Sequence, residues 1–112
     1  MSLAYENAER ALAEGGEADD VLRAVVEALA AEPEVGWAAI AFVDAGELIV
    51  GPRSGRPDAA RRTRVPVLYE GSAVGELWVD GDVHRSGLER VAALLAAYVL
   101  VGWDTGGESW EP

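Results

Sequence analysis

Apolar positions along the chain group into three helical stretches and four strand-like ones. Over about 19–31, Leu22, Val25, Val26 and Leu29 recur at i, i+3, i+4 and i+7, the one-sided stripe of an amphipathic helix. Asp19 is placed to cap its start, and Pro33 follows its end. A thinner stripe of Tyr5, Ala8, Ala11 and Leu12 predicts an earlier helix over about 2–14, stopped by Gly15-Gly16. The third helix opens with Ser86-Gly-Leu-Glu89, which has capping-box spacing, and carries Leu88, Val91, Leu94, Leu95 and Tyr98. From Leu94 to Val101 it is apolar on every side, so its own domain and a further surface must cover it. Self-association through helices is the economical way to supply that surface.

Between the helices the period changes to two. Residues 37–43 and 47–50 flank Asp44-Ala-Gly46, and residues 64–69 and 73–80 flank Glu70-Gly71-Ser72, so two hairpins are predicted. The order helix, hairpin, hairpin, helix predicts an α+β fold: an antiparallel sheet of about four strands with N- and C-terminal helices packed on one face. Alternation turns Ile40, Phe42, Leu77 and Val79 toward the helices. It turns Trp37, Ala39, Ala41 and Val43, with Val74, Glu76, Trp78 and Asp80, the other way. A face that mixes two indoles with small residues and carboxylates suits a pocket floor or a second interface. The expected organisation is an N-terminal helix over 1–16, the domain over 17–102, and an acidic, tryptophan-containing tail over 103–112.

Composition narrows this picture. The chain has 112 residues, room for one domain with its own core. Half the residues are apolar, too many for a disordered chain even at a net charge of −11. That acidity argues against nucleic acid as a partner. The longest apolar run, Val91 to Val101, falls short of the roughly 20 residues of a membrane span. No basic segment leads into an apolar one at the start, so the expected location is cytoplasmic, with no membrane partner. There is no cysteine, hence no disulfide and no thiolate. All nine basic residues are arginine, as codon bias in a GC-rich genome would give.

The run from Trp37 through Val43-Asp44 to Leu48-Ile-Val-Gly51-Pro52, followed by Gly55-Arg56-Pro57, resembles the GAF-type free methionine-(R)-sulfoxide reductases. So does the later run Pro66-Val-Leu-Tyr-Glu-Gly71 with Val74-Gly-Glu-Leu-Trp-Val-Asp80. With the last helix, the likeness covers most of residues 18–101. It implies a GAF-like domain, with Trp37 matching a pocket tryptophan of that family. Trp78 and Asp80 stand where the family has two substrate-binding carboxylates, so one acid is kept and the other is an indole. The reductases carry cysteines after the Gly-x-Pro loop and in a segment between the hairpins. Here the loop continues Asp58-Ala59-Ala60, and only about a dozen residues separate Gly51 from Val65. Reduction of a sulfoxide by a thiolate has no nucleophile in this chain.

Arg53, Arg56, Arg61, Arg62 and Arg64 lie within twelve residues with one acid among them, Asp58, a local charge of +4. Guanidinium forks grip phosphates and carboxylates bidentately. The candidate binding set is therefore Trp37, Arg53, Arg62, Arg64, Trp78 and Asp80, with Arg62 and Arg64 anchoring a small anionic or amino-acid-like ligand and the indoles stacking on it. The same arginines would serve equally well to balance acidic surfaces. His84, the one histidine, follows Asp80-Gly-Asp82-Val83, but no nucleophile turn accompanies it and it reads as a loop residue. Asp80 and Asp82 fail as a calcium loop, because Arg85 and Val91 stand where glycine and glutamate are needed. No catalytic residue, metal site or cofactor is expected. Trp103 and Trp110 suit either a lid over the Trp37/Trp78 face or a loose terminus. The expectation is a non-catalytic, dimeric GAF-like module that binds a small molecule or regulates. The alternative is a dimerisation or docking module with no pocket.

Overall fold

The computed structural model describes residues 9, 10, 12, 13 and 16–109, the side chains beyond residue 99 excepted. Helix α1 spans Ala18–Ala30 and helix α2 spans Arg85–Ser109. Between them β1 (Val35–Asp44), β2 (Glu47–Gly55), β3 (Arg62–Tyr69) and β4 (Ser72–Gly81) form one antiparallel sheet in the order β2-β1-β4-β3. This is the α+β arrangement that the hydrophobic pattern predicts. Of the described residues, no helix is long and apolar enough to cross a membrane.

One face of the sheet carries the core. From α1 come Val21, Leu22, Val25, Val26 and Leu29, and from α2 come Leu88, Val91, Ala92, Leu95, Ala96 and Val99. They close on Ala38, Ile40 and Phe42 of β1, Val65 and Val67 of β3, and Leu77 and Val79 of β4. Burial of each large aliphatic or aromatic side chain contributes about 1.5–3 kcal/mol. The N-terminal segment joins this layer. Leu12 is buried, its carbonyl accepts the Tyr98 hydroxyl at 3.3 Å, and Glu9 pairs with Arg90 at 2.8 Å. Tyr5, Ala8 and Ala11 lie outside the described residues.

Both hairpins reverse through two residues. Asp44 pairs with Glu47 and Tyr69 with Ser72, leaving Ala45-Gly46 and Glu70-Gly71 as the turns. All four have positive φ, the signature of type I′ turns, whose twist matches that of paired strands. At Ala45 and Glu70 a Cβ stands in that region, which costs roughly 1–2 kcal/mol. Glu70→Asn is expected to raise the unfolding free energy by about 0.5–1 kcal/mol in urea denaturation, because asparagine tolerates this conformation. An unchanged midpoint would mean that the turn carries no such strain.

Several boundaries differ from the sequence expectation, each for a physical reason. Helix α1 begins at Ala18 with Glu17 at the N-cap, so Asp19 is not the cap; it sits in the first turn, where its charge meets the positive end of the helix dipole. Helix α2 starts at Arg85, and the His84 carbonyl accepts the amides of Gly87 and Leu88, so Ser86 lies inside the helix and forms no capping box. One tertiary contact holds that start, Arg85 donating to the Arg64 carbonyl at 3.1 Å, and within the helix Arg85 donates to Glu89 at 3.3 Å. Leu94 is 46% exposed and turned away from the sheet, although it shares the predicted stripe. Val74, expected on the face away from the helices, packs against the core. The cause is a bulge: Val67 pairs with Gly75 but Leu68 pairs with Ala73, which leaves Val74 as the extra residue. The backbone of α2 continues past Gly102 to Ser109, while the side chain of Trp103, and Trp110 entirely, lie outside the described residues.

Candidate functional site

The face of the sheet turned away from the helices is organised by register into rows that cross the strands. The first row runs Gly55, Trp37, Asp80, Arg62; the second runs Arg53, Ala39, Trp78, Arg64; the third runs Val50, Ala41, Glu76, Pro66. All six candidate residues therefore fall on two adjacent rows of one face. Five of them touch in a single network, and Arg53 stands at the far end of its row, exposed, with no ion pair among the described residues.

Asp80 is the centre of that network. It is 1% exposed, and both its oxygens are used. Oδ1 accepts Arg62 Nε at 2.7 Å, and Oδ2 accepts Arg62 Nη2 at 2.9 Å and the Asp58 amide at 2.6 Å. The Asp58 contact ties the 56–61 connection, with its 3-10 turn Ala59–Arg61, to the sheet. The Arg62 guanidinium lies 4.5 Å from the Trp37 ring centre and 5.2 Å from that of Trp78. Arg64 lies 4.7 Å from Trp78 on the next row. Glu76 accepts both the Trp78 indole N–H at 2.8 Å and Arg64 Nε at 2.8 Å. The indole thus lies along its own strand, and Ala39, flanked by Arg53 and Trp78, has no exposed surface. Trp37, Arg62, Trp78 and Arg64 make an alternating stack of rings and guanidiniums, fenced by two carboxylates. Each such cation–ring contact contributes roughly 0.5–2 kcal/mol, more where water is excluded.

The network is internally neutral, the guanidiniums of Arg62 and Arg64 against the carboxylates of Asp80 and Glu76, and Arg53 adds one positive charge at the end of its row. Arg62 is held above its ordinary pKa by the hydrogen bonds it donates to Asp80 and by the charge of that carboxylate, against the opposing effect of burial. The forks expected to anchor an anion already hold Asp80 and Glu76. No hydroxyl, thiol or imidazole stands in the rows. His84 is exposed at the start of α2. Glu76 is a member that the sequence reading placed on this face without assigning it a role.

A concavity lies at the other end of the sheet, where α1 meets the edge strand β2. It has a volume of ≈ 460 Å³ and is lined by Arg23, Val26, Glu27, Val50, Gly51, Pro52 and Arg53. A bulge shapes it: Ala39 pairs with Arg53 but Ala41 pairs with Val50, so β2 carries one extra residue around Gly51-Pro52. The sequence pattern predicts the end of this strand at Val50. The chain instead continues to Gly55, since proline is tolerated at a bulge on an edge. Gly51 is required where it stands, because a Cβ there would overlap the ring of Phe42.

Neither a family model nor a curated protein matches the chain. Solved structures do. The GAF domain of an Acinetobacter phosphoenolpyruvate-protein phosphotransferase superposes with a TM-score of 0.75 at 15% identity, over 93% of this chain and 95% of that one. The fold is that of a GAF domain. A putative GAF sensor protein from Burkholderia vietnamiensis gives 0.71 at 20% identity, over 93% and 92%. The free methionine-R-sulfoxide reductase of Neisseria meningitidis, in complex with its substrate, gives 0.70 at 13% identity, over 91% and 89%. The GAF fold thus spans both sensors and enzymes among these neighbours, and the absence of cysteine separates this chain from thiol chemistry.

Proposed function

We infer that this chain is a non-catalytic regulatory module of GAF type that binds a small molecule and acts as a homodimer through its helices. One observation carries the non-catalytic part. Every charged side chain of the outer rows except Arg53 is committed to a partner in the same network, both carboxylates included, and the rows hold no hydroxyl, thiol or imidazole. Catalysis needs a group whose partner is the substrate, and this face spends its groups on itself. The α1–β2 crevice supports ligand binding, because its volume falls within the roughly 300–1,000 Å³ of small-molecule sites. The exposed strip Ala93, Leu94 and Ala97 on α2 supports a helix-mediated dimer. The closed outer face favours a second reading, a docking module with no ligand.

The test is a thermal-shift panel of amino acids, their sulfoxides, nucleotides and 2-oxo acids, run beside turnover assays on the same compounds. The expected result is a saturable rise in Tm with one class and no product formed. Turnover of any compound would overturn the non-catalytic reading. A flat panel, with Tm rising only with protein concentration, would transfer the assignment to the docking module.

A further inference from the structure

We propose that the free edge of β2 pairs with the same edge of a second copy of this chain, antiparallel, about a two-fold axis beside Ile49. This goes beyond the helix-mediated dimer above and uses another surface. Helix α2 packs over β3 and β4, whereas β2 lies at the far side of the sheet.

The sheet has two edges, β2 and β3, and the chain treats them differently. On β3, Pro66 offers no N–H, and the Arg64 carbonyl is already taken by Arg85 at 3.1 Å. Both features block a further strand. On β2, parity decides which backbone groups are free. The type I′ turn closes with Asp44 bonded to Glu47, and bonded and non-bonded pairs alternate from there. Ile49 is therefore bonded to Phe42, while Leu48 and Val50 turn their N–H and C=O outward. The Arg56 amide, donating to the Gly36 carbonyl at 2.8 Å, keeps the same parity beyond the bulge. Among the described residues nothing caps Leu48 or Val50. The side chains are open as well: Leu48 is 36% exposed, and Ile49 is 44% exposed although it shares the helical face with Phe42. An apolar edge with unpaired backbone groups is a template for another strand.

The outward groups dictate both partner and register. Setting Leu48 opposite Val50 of the second copy, and Val50 opposite its Leu48, pairs every outward N–H and C=O of the two residues at once. Moving the axis to residue 48 would draw in Gly46 of the turn, and moving it to residue 50 would draw in Pro52, which has no N–H. With the axis at Ile49, the two Ile49 side chains face each other, and Glu47 falls opposite Gly51 rather than another carboxylate. Charge agrees with this choice. Residues 48–52 carry none, in a chain of −11, so identical copies approach there without opposing carboxylates. Antiparallel alignment also brings the acidic turn of each copy, with Asp44 and Glu47, toward the Arg53 end of the other. Pairing by this route stops at two copies, because the outermost strands are then the two blocked β3 edges.

The chain has no cysteine, so a single introduced one reports the axis. Facing Ile49 positions form a non-hydrogen-bonded pair with Cα atoms about 4.5 Å apart, within the range that a disulfide spans. Under mild oxidation, full-length Ile49→Cys is expected to cross-link about tenfold faster than Leu68→Cys, a comparably exposed position on the blocked edge. In the unaltered chain, hydrogen exchange at the Leu48 and Val50 amides is expected to slow as protein concentration rises. Ile49→Lys is expected to weaken association about tenfold or more in analytical ultracentrifugation, with unchanged circular dichroism. Equal cross-linking at both cysteine positions, or exchange at Leu48 and Val50 that ignores concentration, would overturn the edge pairing. Association abolished by Leu94→Lys and untouched by Ile49→Lys would also overturn it, while the helix-mediated dimer stands. Protection of the two amides gained only on adding an extended valine–threonine peptide would give the edge to a peptide partner in place of a second copy.

Discussion

Arg62→Ala is expected to lower the unfolding free energy by about 3–5 kcal/mol, the largest effect of any single change at the outer face. The reason lies in what it leaves behind. Asp80 is 1% exposed and keeps only the Asp58 amide once the fork is gone, so a charged carboxylate stays buried with one donor in place of three. The 22% exposure of the Arg62 side chain lets some water reach the gap, which places the cost toward the lower end of that range. Arg62→Lys keeps the charge and loses the planar fork and the stacking, so a smaller loss of about 1–2 kcal/mol is expected. The double variant Arg62→Met with Asp80→Leu removes both charges and is expected to recover most of the stability. Urea denaturation at constant slope measures all three, and tryptophan emission reports the opening of the stack. Wild-type stability in Arg62→Ala would show that the pair is a surface contact and that the face is not closed by it. Alkaline pH does not imitate this variant. The pKa of Arg62 is raised in the folded state, so its contribution is fully present below the unfolded value and is lost only beyond the pH range of ordinary proteins.

The outer face of this GAF fold is closed by its own side chains. Trp37 and Asp80 hold the strand positions that the family resemblance would give to a pocket, and Arg62 fills the space in front of them. A guanidinium between two rings and a carboxylate is already an answered recognition problem. The chain supplies the cation itself, so a ligand from outside would have to displace a bidentate, nearly buried pair before gaining anything.

Much of this was legible in the sequence where a period repeats. Leu22, Val25, Val26 and Leu29 mark a helix face without help from tertiary structure, and Ile40 with Phe42 and Leu77 with Val79 mark the inner face of the sheet. Alternation likewise put Trp37, Trp78 and Asp80 together, and register does the same in space. The partnership of Arg62 with Asp80 was hidden by a boundary. Starting the third strand at residue 64 left Arg62 in a loop, whereas β3 begins at Arg62 directly opposite Asp80. Bulges were hidden for a deeper reason: one extra residue breaks the period of two, so counting put Val74 on the face away from the helices and ended the second strand before Pro52. The crevice depends on such a bulge and on how α1 lies against it, and neither leaves a local pattern in the chain.

Gly51→Ala is expected to cost about 1–3 kcal/mol, although it adds a single methyl group at a half-buried position on an edge strand. Propensity alone argues the other way, because alanine loses less entropy than glycine. The contact decides the sign: the new Cβ would overlap the Phe42 ring, and Phe42 is 1% exposed inside the core cluster, with no free volume to yield into. The same methyl group should therefore be far cheaper in a Phe42→Leu background, where the outer edge of the ring is gone. A double-mutant cycle by thermal or urea unfolding is expected to give a coupling of about 0.5–3 kcal/mol in the direction of relief. Strict additivity would mean that the ring does not constrain this strand. It would also remove the reason for glycine at the floor of the crevice, where the approach of ring to backbone sets how the bulge opens toward α1.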